Sequence, residues 1–254
     1  MKSYQGKRAI IFGGTSGIGL ATATLLAERG AEVTAVGPEA NRPESLRNST
    51  EIEWIHADVR FANEIAAAVD AVSSRGPLDW LVYSAGIQRY GTADEVSIEQ
   101  WDLVHSVNAR GAFVAAHFVV PKMTRGGAIV HVSSVQGVAC QTSVPAYAAS
   151  KGTLDTLTKA MALDYAARGI RVNAVLPGTV DTPMVRAAAE MFSEGRSSDA
   201  VVARWGGTHP LGRVAQPREI AQAIAFLLSE EASFITGALL PVDGGLLAQL
   251  AVKL

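Results

Sequence analysis

The sequence predicts an α/β fold: a doubly wound parallel sheet with helices on both faces. Three observations carry that prediction. Short apolar runs alternate with longer alanine-rich stretches along the whole chain. The short runs lack a clean polar–apolar alternation, as strands covered on both faces do. A glycine cluster at 13–19 stands between the first such run and the first helical stretch, where α/β folds bind ligands.

The runs at 8–12, 32–36, 52–56, 80–83, 128–132, 171–176 and 239–242 read as strands, being short and rich in Val, Ile, Leu and Phe. Helical stretches lie between them at 18–29, 62–74, 97–120, 144–168 and 217–229. Pro217 sits at a favoured first-turn position. Alternation over the full 254 residues predicts one domain, 1–254, joined by right-handed crossovers. The segment 182–214 reads as a long irregular loop over the site, because Gly195, Gly206, Gly207, Pro210 and Gly212 interrupt it.

Composition narrows the function. Hydrophobic residues make up 48% and charged residues 18%, enough apolar surface for a large core. A net charge of −2 leaves no basic surplus for nucleic acid. Cys140 is the single cysteine, so no intrachain disulfide and no cysteine-cluster metal site is expected. His56, His105, His117, His131 and His209 are scattered, with no pair at ligand spacing, so no metal is expected. No run reaches the ~18 apolar residues of a membrane span. The expectation is a soluble, cytoplasmic protein with no membrane or nucleic-acid partner.

The first strand runs into Gly-Gly-Thr-Ser-Gly-Ile-Gly, with Gly13, Gly17 and Gly19 at spacing G-x-x-x-G-x-G. Such a turn lets backbone approach a pyrophosphate at a helix N-terminus; it can also serve only to pack the helix closely. Tyr147 and Lys151 form Y-x-x-x-K within a helical stretch and share one helix face. An adjacent ammonium favours the phenolate, lowers the phenol pKa and prepares it for proton transfer. Ser134 follows a strand at the edge where ligands bind, and Asn108 lies within a helix. Each alone is unremarkable: a chance spacing, a polar strand end, a surface asparagine.

In order and separation these residues resemble the catalytic tetrad and glycine turn of the short-chain dehydrogenase/reductase family. The resemblance covers nearly the whole chain. It implies a Rossmann-type domain with seven strands ordered 3-2-1-4-5-6-7. It implies a nicotinamide-dependent oxidoreductase for a secondary alcohol or ketone, in which Tyr147 exchanges the proton. Lys151 would lower the phenol pKa and hold the nicotinamide ribose, Ser134 would orient the substrate oxygen, and Asn108 would anchor a proton-relaying water. Gly13, Thr15, Ser16, Gly17, Ile18 and Gly19 would cradle the pyrophosphate. Asp58 and Val59 would contact the adenine, and Ala85 and Gly86 would form the turn after strand four. Pro177, Gly178, Val180 and Thr182 would hold the nicotinamide. The chain departs from the family pattern at Phe12, where a threonine is usual, and at Tyr83 and Ser84, which replace two asparagines. The side-chain tie those asparagines make in the central sheet is therefore not expected in its usual form.

Cofactor choice should be read at Gly37, where an acid would accept the ribose 2′-hydroxyl. Glu39, the nearest acid, points to NAD; Arg42, the nearest base, points to NADP; the balance is read as NAD. Gly86-Ile87-Gln88-Arg89 resembles a segment of sugar-acid reductases in the family. Gln88, Arg89 and Gln136, with Gln141 and Thr142, suit a hydroxylated substrate, so a sugar, polyol or sugar acid is expected. Met184, Met191, Phe192 and Trp205 favour the alternative, an apolar cyclic or acyl-type ketone. A nucleotide-binding protein without catalysis is a further alternative, and its tetrad should be broken; a lyase or epimerase using the nucleotide internally is another, commonly with a larger C-terminal substrate region. The apolar excess at 97–120, 144–168 and the C-terminal tail predicts a homotetramer.

Overall fold

The computed structural model describes residues 4–47 and 49–250. The last four residues of the apolar tail lie outside that range. Seven parallel strands form one sheet: β1 (Arg8–Phe12), β2 (Glu32–Gly37), β3 (Ile52–His56), β4 (Leu78–Tyr83), β5 (Met123–Val132), β6 (Arg171–Pro177) and β7 (Leu239–Val242). Their order is β3-β2-β1-β4-β5-β6-β7, as expected. This is the Rossmann-type arrangement. β1 lies centrally, with Ala9 opposite Val33 on one side and Trp80 on the other.

Successive residues of a strand point to opposite faces, and both faces here are dry. Ile11, Trp80, Val82 and Val130 pack against α1 (Gly17–Glu28) and α8 (Pro217–Leu228). Ile10, Phe12, Leu81 and Ile129 face α2 (Ala62–Ser73), α4 (Gly111–Val119) and α5 (Pro145–Tyr165). Each such large side chain stabilises the fold by about 1.5–3 kcal/mol on burial. That is why the strands read as unbroken apolar runs.

Three sequence expectations need correction. β5 begins at Met123, not 128. Met123 pairs with Leu78, after which the register shifts around Gly126 and Gly127, so an irregular edge preceded the apolar run. The stretch 97–120 is not one regular helix. α3 (Ile98–His105) passes through a π-helical turn, Ser106–Arg110, into α4. By length and hydropathy the run Ile98–Lys122 could cross a membrane, yet most of it is buried within the fold.

The segment 182–214 is not irregular. It holds α6 (Pro183–Met191) and α7 (Ser198–Gly206). Thr182 caps α6 by accepting from the Val185 amide at 3.4 Å, and Pro183 occupies the first turn. Ser197 caps α7. Gly195 has φ +82 between the two helices, so it marks a break and not the absence of helix.

Candidate active site

The strands end together along one edge of the sheet, and a cleft of about 540 Å³ opens there. Gly13 to Ile18 form one wall, at the N-terminus of α1. Gly13 has φ +74, and a Cβ there would lie 2.5 Å from the Ala85 amide. Gly17 has φ +50 and faces the Thr182 side chain. This close backbone approach leaves amides at a positive helix end, which suits a pyrophosphate.

Of the residues expected to touch a dinucleotide, Gly13, Thr15, Ser16, Gly17, Ile18, Gly37, Asp58 and Val59 line the cleft. So do Ala85, Gly86, Pro177, Gly178, Val180 and Thr182. Gly19 does not, and that expectation is corrected. It is buried beneath the turn, and a Cβ on it would lie 2.0 Å from the Gly13 carbonyl oxygen. Its glycine serves packing.

At the end of β2, Glu39 folds back over Gly37. Its Oε1 accepts from the Thr15 hydroxyl at 2.8 Å, while Oε2 is buried and unpartnered. A Cβ on Gly37 would stand 2.3 Å from that oxygen, so the glycine makes room for the carboxylate. Arg42 turns away. Its guanidinium donates to the carbonyls of Leu46, Ser49 and Ile52, outside the cleft.

At the far end of the cleft lie Ser134, Tyr147 and Lys151. Ser134 leaves β5 and accepts from the Gln136 amide at 3.1 Å. Tyr147 and Lys151 are buried on one face of α5. The Lys151 Nζ donates to the Val132 carbonyl at 2.9 Å and stands 5.4 Å from the centre of the Tyr147 ring. Burial pulls the Lys151 pKa down to about 8, against the opposing pull of Asp155 one turn further along α5. Burial also pushes the Tyr147 phenol up to about 12, while the Ser134 hydroxyl beside it works the other way. In the protein alone burial dominates, and the phenol is raised where lowering by Lys151 was expected. The phenol stays protonated at neutral pH, the form that donates to a carbonyl oxygen.

Asn108 lies behind this trio, fully buried in the π-helical turn and not on a surface. Its carboxamide accepts from the Ile87 amide at 2.8 Å and donates to the Ile87 carbonyl at 2.9 Å. It also donates to the Ser150 hydroxyl at 3.0 Å, and that hydroxyl donates to the Tyr147 carbonyl at 2.7 Å. Asn108 thus joins the loop after β4 to the helix that carries Tyr147.

Of the residues expected to meet substrate, Arg89 from the polar set and Met184 from the apolar set line the cleft, together with Ile87 and Val185. Gln88 and Gln136 do not, which corrects that expectation. The Gln88 carbonyl accepts from Arg89 at 2.8 Å, and the Gln136 amide donates to Gln141 at 3.1 Å. Met191 points to solvent, and Trp205 packs inside the α6–α7 cap.

Sequence reading missed His209. The ring is buried, with Nδ1 2.6 Å from the Asp243 carbonyl and Nε2 accepting from the Thr179 amide at 3.3 Å. A Cβ on Gly178 would stand 2.5 Å from its Cε1. The imidazole braces the Gly178 corner of the cleft, and the Pro-Gly pair was its only trace in the sequence. Among the described residues no group of acidic, histidine or cysteine side chains could hold a metal ion.

A family model described as enoyl-(acyl carrier protein) reductase matches residues 13–247. A cis-4-hydroxycyclohexanecarboxylate dehydrogenase from Sinomonas cyclohexanicum is 38% identical over 96% of this chain and 98% of its own. A cyclopentanol dehydrogenase from Comamonas is 38% identical, with the same coverage of both chains. Among solved structures, the ligand-free aldohexose dehydrogenase of Thermoplasma acidophilum superposes with a TM-score of 0.94. It is 35% identical and covers 100% of this chain and 98% of that one.

Proposed function

Because this chain belongs to the short-chain dehydrogenase/reductase family of NAD(P)-dependent oxidoreductases acting on CH–OH groups, we propose that it is an NAD-preferring dehydrogenase. Its substrate is a small, ring-borne secondary alcohol that carries a carboxylate. The convergence of Ser134, Tyr147 and Lys151 at one end of a glycine-walled cleft carries this reading.

The bound nicotinamide supplies or accepts the hydride. The chain's own groups do the rest. The Ser134 hydroxyl orients the substrate oxygen, and the Tyr147 phenol gives it a proton in reduction or takes one in oxidation. Lys151 places an ammonium beside the phenol, which favours the phenolate that oxidation requires.

NAD preference is supported by the free, buried Oε2 of Glu39, which would accept a ribose hydroxyl and repel a 2′-phosphate. It is supported equally by Arg42, whose guanidinium is taken up by backbone carbonyls. The substrate class is supported by Arg89, which makes no ion pair among the described residues and stands amid Ile87, Met184 and Val185. A guanidinium in a cleft that Ile87, Met184 and Val185 also line suits a carboxylate on an apolar ring. One relative's printed substrate has that form. A homotetramer is supported by Ile98, Trp101, Phe113 and Leu163, which expose apolar surface along α3, α4 and α5.

The test is an oxidation panel of carboxylated and uncarboxylated cyclic alcohols and sugar acids, run with NAD and with NADP. Faster turnover of carboxylated rings with NAD is expected. Arg89→Ala should raise KM for the carboxylated rings alone, and Glu39→Ala should erode the preference for NAD. Turnover of uncarboxylated alcohols only would overturn the substrate assignment. Light scattering at the monomer mass would overturn the tetramer.

A further inference from the structure

Tyr83 stands where the family pattern has asparagine, at the end of β4. The whole side chain is buried. Its hydroxyl donates to the Val107 carbonyl in the π-helical turn. That carbonyl is open to it for a geometric reason. The Gly111 amide reaches back five residues to the Ser106 carbonyl, not four to Val107. A wide turn thus withdraws one donor from Val107, and a buried carbonyl left without a partner would cost about 1–3 kcal/mol. Burial keeps the Tyr83 phenol protonated, so it remains a donor throughout the working pH range.

Gly111 completes the arrangement. A Cβ there would lie 2.1 Å from the Tyr83 hydroxyl oxygen. Tyrosine at 83 therefore requires glycine at 111, while an asparagine would not reach so far. Asn108 is the next residue after Val107. Its carboxamide must meet both polar atoms of Ile87 and the Ser150 hydroxyl together. A Cβ on Gly86 would lie 3.6 Å from both Asn108 Oδ1 and Lys151 Nζ, so the turn borders the tetrad directly.

We infer that Tyr83 is a positioning residue: its hydroxyl locks the π-helical turn against β4 and so sets Asn108 between the Ile87 loop and α5. The inference rests on the proposed role of the tetrad. Kinetics and hydrogen exchange separate the two. Tyr83→Phe deletes only the donor. It should lower kcat about tenfold, with KM for alcohol and cofactor within about twofold. In an Asn108→Ala background the same substitution should change kcat less than about twofold, because its effect runs through Asn108. Amides at 106–112 should exchange at least about tenfold faster in Tyr83→Phe. If Tyr83→Phe does not fold, Tyr83→Phe with Gly111→Ala, in which the added methyl takes the space the hydroxyl leaves, should show the same kcat loss and the same faster exchange. Equal kcat losses in both backgrounds would reduce Tyr83 to a structural role and overturn the inference. So would unchanged exchange at 106–112. If the native enzyme turns over no alcohol, the functional reading falls, and the exchange measurement alone decides whether Tyr83 holds the turn.

Discussion

The floor of the cleft and its cap are held by different forces. The floor is the sheet edge, backed on both faces by continuous apolar clusters. The cap, α6 and α7, has a small apolar cluster of Ala189, Val201 and Val202, with Val185, Trp205 and Val214 packed beside them. Polar contacts supply much of the rest. Arg186 makes a two-point pair with Asp181, both contacts at 2.6 Å, and reaches Asp199 on α7. Phe192 meets Tyr90 edge-on, with ring centres 4.9 Å apart. The groups assigned to proton transfer thus stand on rigid elements, while Met184 and Val185, which line the same cleft, stand on an element that can open at small cost.

The sharpest test of the floor is Tyr147→Phe. It should lower kcat by at least the ~10²-fold typical of lost general acid–base catalysis, measured at steady state on any substrate the panel identifies. A variant with near-normal turnover would move the proton chemistry elsewhere.

Two glycines compare the regions directly. Gly19→Ala forces a Cβ onto the Gly13 carbonyl, with backbone on both sides and nowhere to shift. A loss of about 4 kcal/mol, on the order of 10 °C in Tm, is expected. Gly212 in the cap has φ +72 but nothing within 4 Å. Gly212→Ala should cost only the about 1–2 kcal/mol of left-handed backbone. Equal losses in thermal unfolding would erase the distinction.

Acid reports on the floor through His131. The ring lies in β5, with Nδ1 2.8 Å from the Thr158 hydroxyl, and burial pulls its pKa down to about 4. Between pH 6.5 and 4 the unfolded chain takes up a proton that the folded chain refuses, so stability falls as pH falls through that window. At ~1.4 kcal/mol per unit the loss approaches about 3 kcal/mol. His131→Gln should remove this dependence from urea titrations at pH 7 and pH 4.5. An unchanged difference between the two pH values would show that the imidazole is not its source.

The smallest effect belongs to the cap's ion pairs. Arg186→Ala should move Tm by no more than about 5 °C, since its two partly exposed pairs contribute about 0.2–1 kcal/mol each. It should still raise substrate KM a few-fold and speed proteolysis between α6 and α7. Loss of cofactor binding in this variant would show that cap and floor are not separable.

The legible parts of the molecule were those set by short-range pattern. Unbroken apolar runs located every strand, and the glycine spacing located the turn before α1. Tyr147 and Lys151 were readable because α5 is regular around them. Asn108 was not readable as buried: the inserted residue of a π-helical turn shifts the helical period, and its partners Ile87 and Ser150 are distant in sequence. In the cap, Gly206 and Gly207 were read as breakers although they lie at the end of α7, while the starts at Thr182-Pro183 and Ser197 were overlooked. Glu39 was seen as an acid, but only the fold shows it over Gly37. Tyr83 looked like a loss from the family pattern; the hydroxyl that replaces the missing tie lies beyond the reach of a local reading.

Because β1 lies inside the sheet, between β2 and β4, the chain's first strand gains its two neighbours at different times during synthesis. β2 and β3 can add on one side while the rest of the chain is still being made. The other side, where Ala9 meets Trp80, waits for β4. Until then a row of unpaired amides and carbonyls on β1 is open to other nascent chains. Closing parallel pairs across long crossovers is slow, which lengthens that exposure. β5, β6 and β7 then extend the same edge in order. The four-residue β7 arrives last, and its Val242 carbonyl accepts the Gly178 amide at 3.2 Å. The Gly178 corner of the cleft is therefore finished only at the end of synthesis, so truncated chains should reach a folded floor before they reach activity.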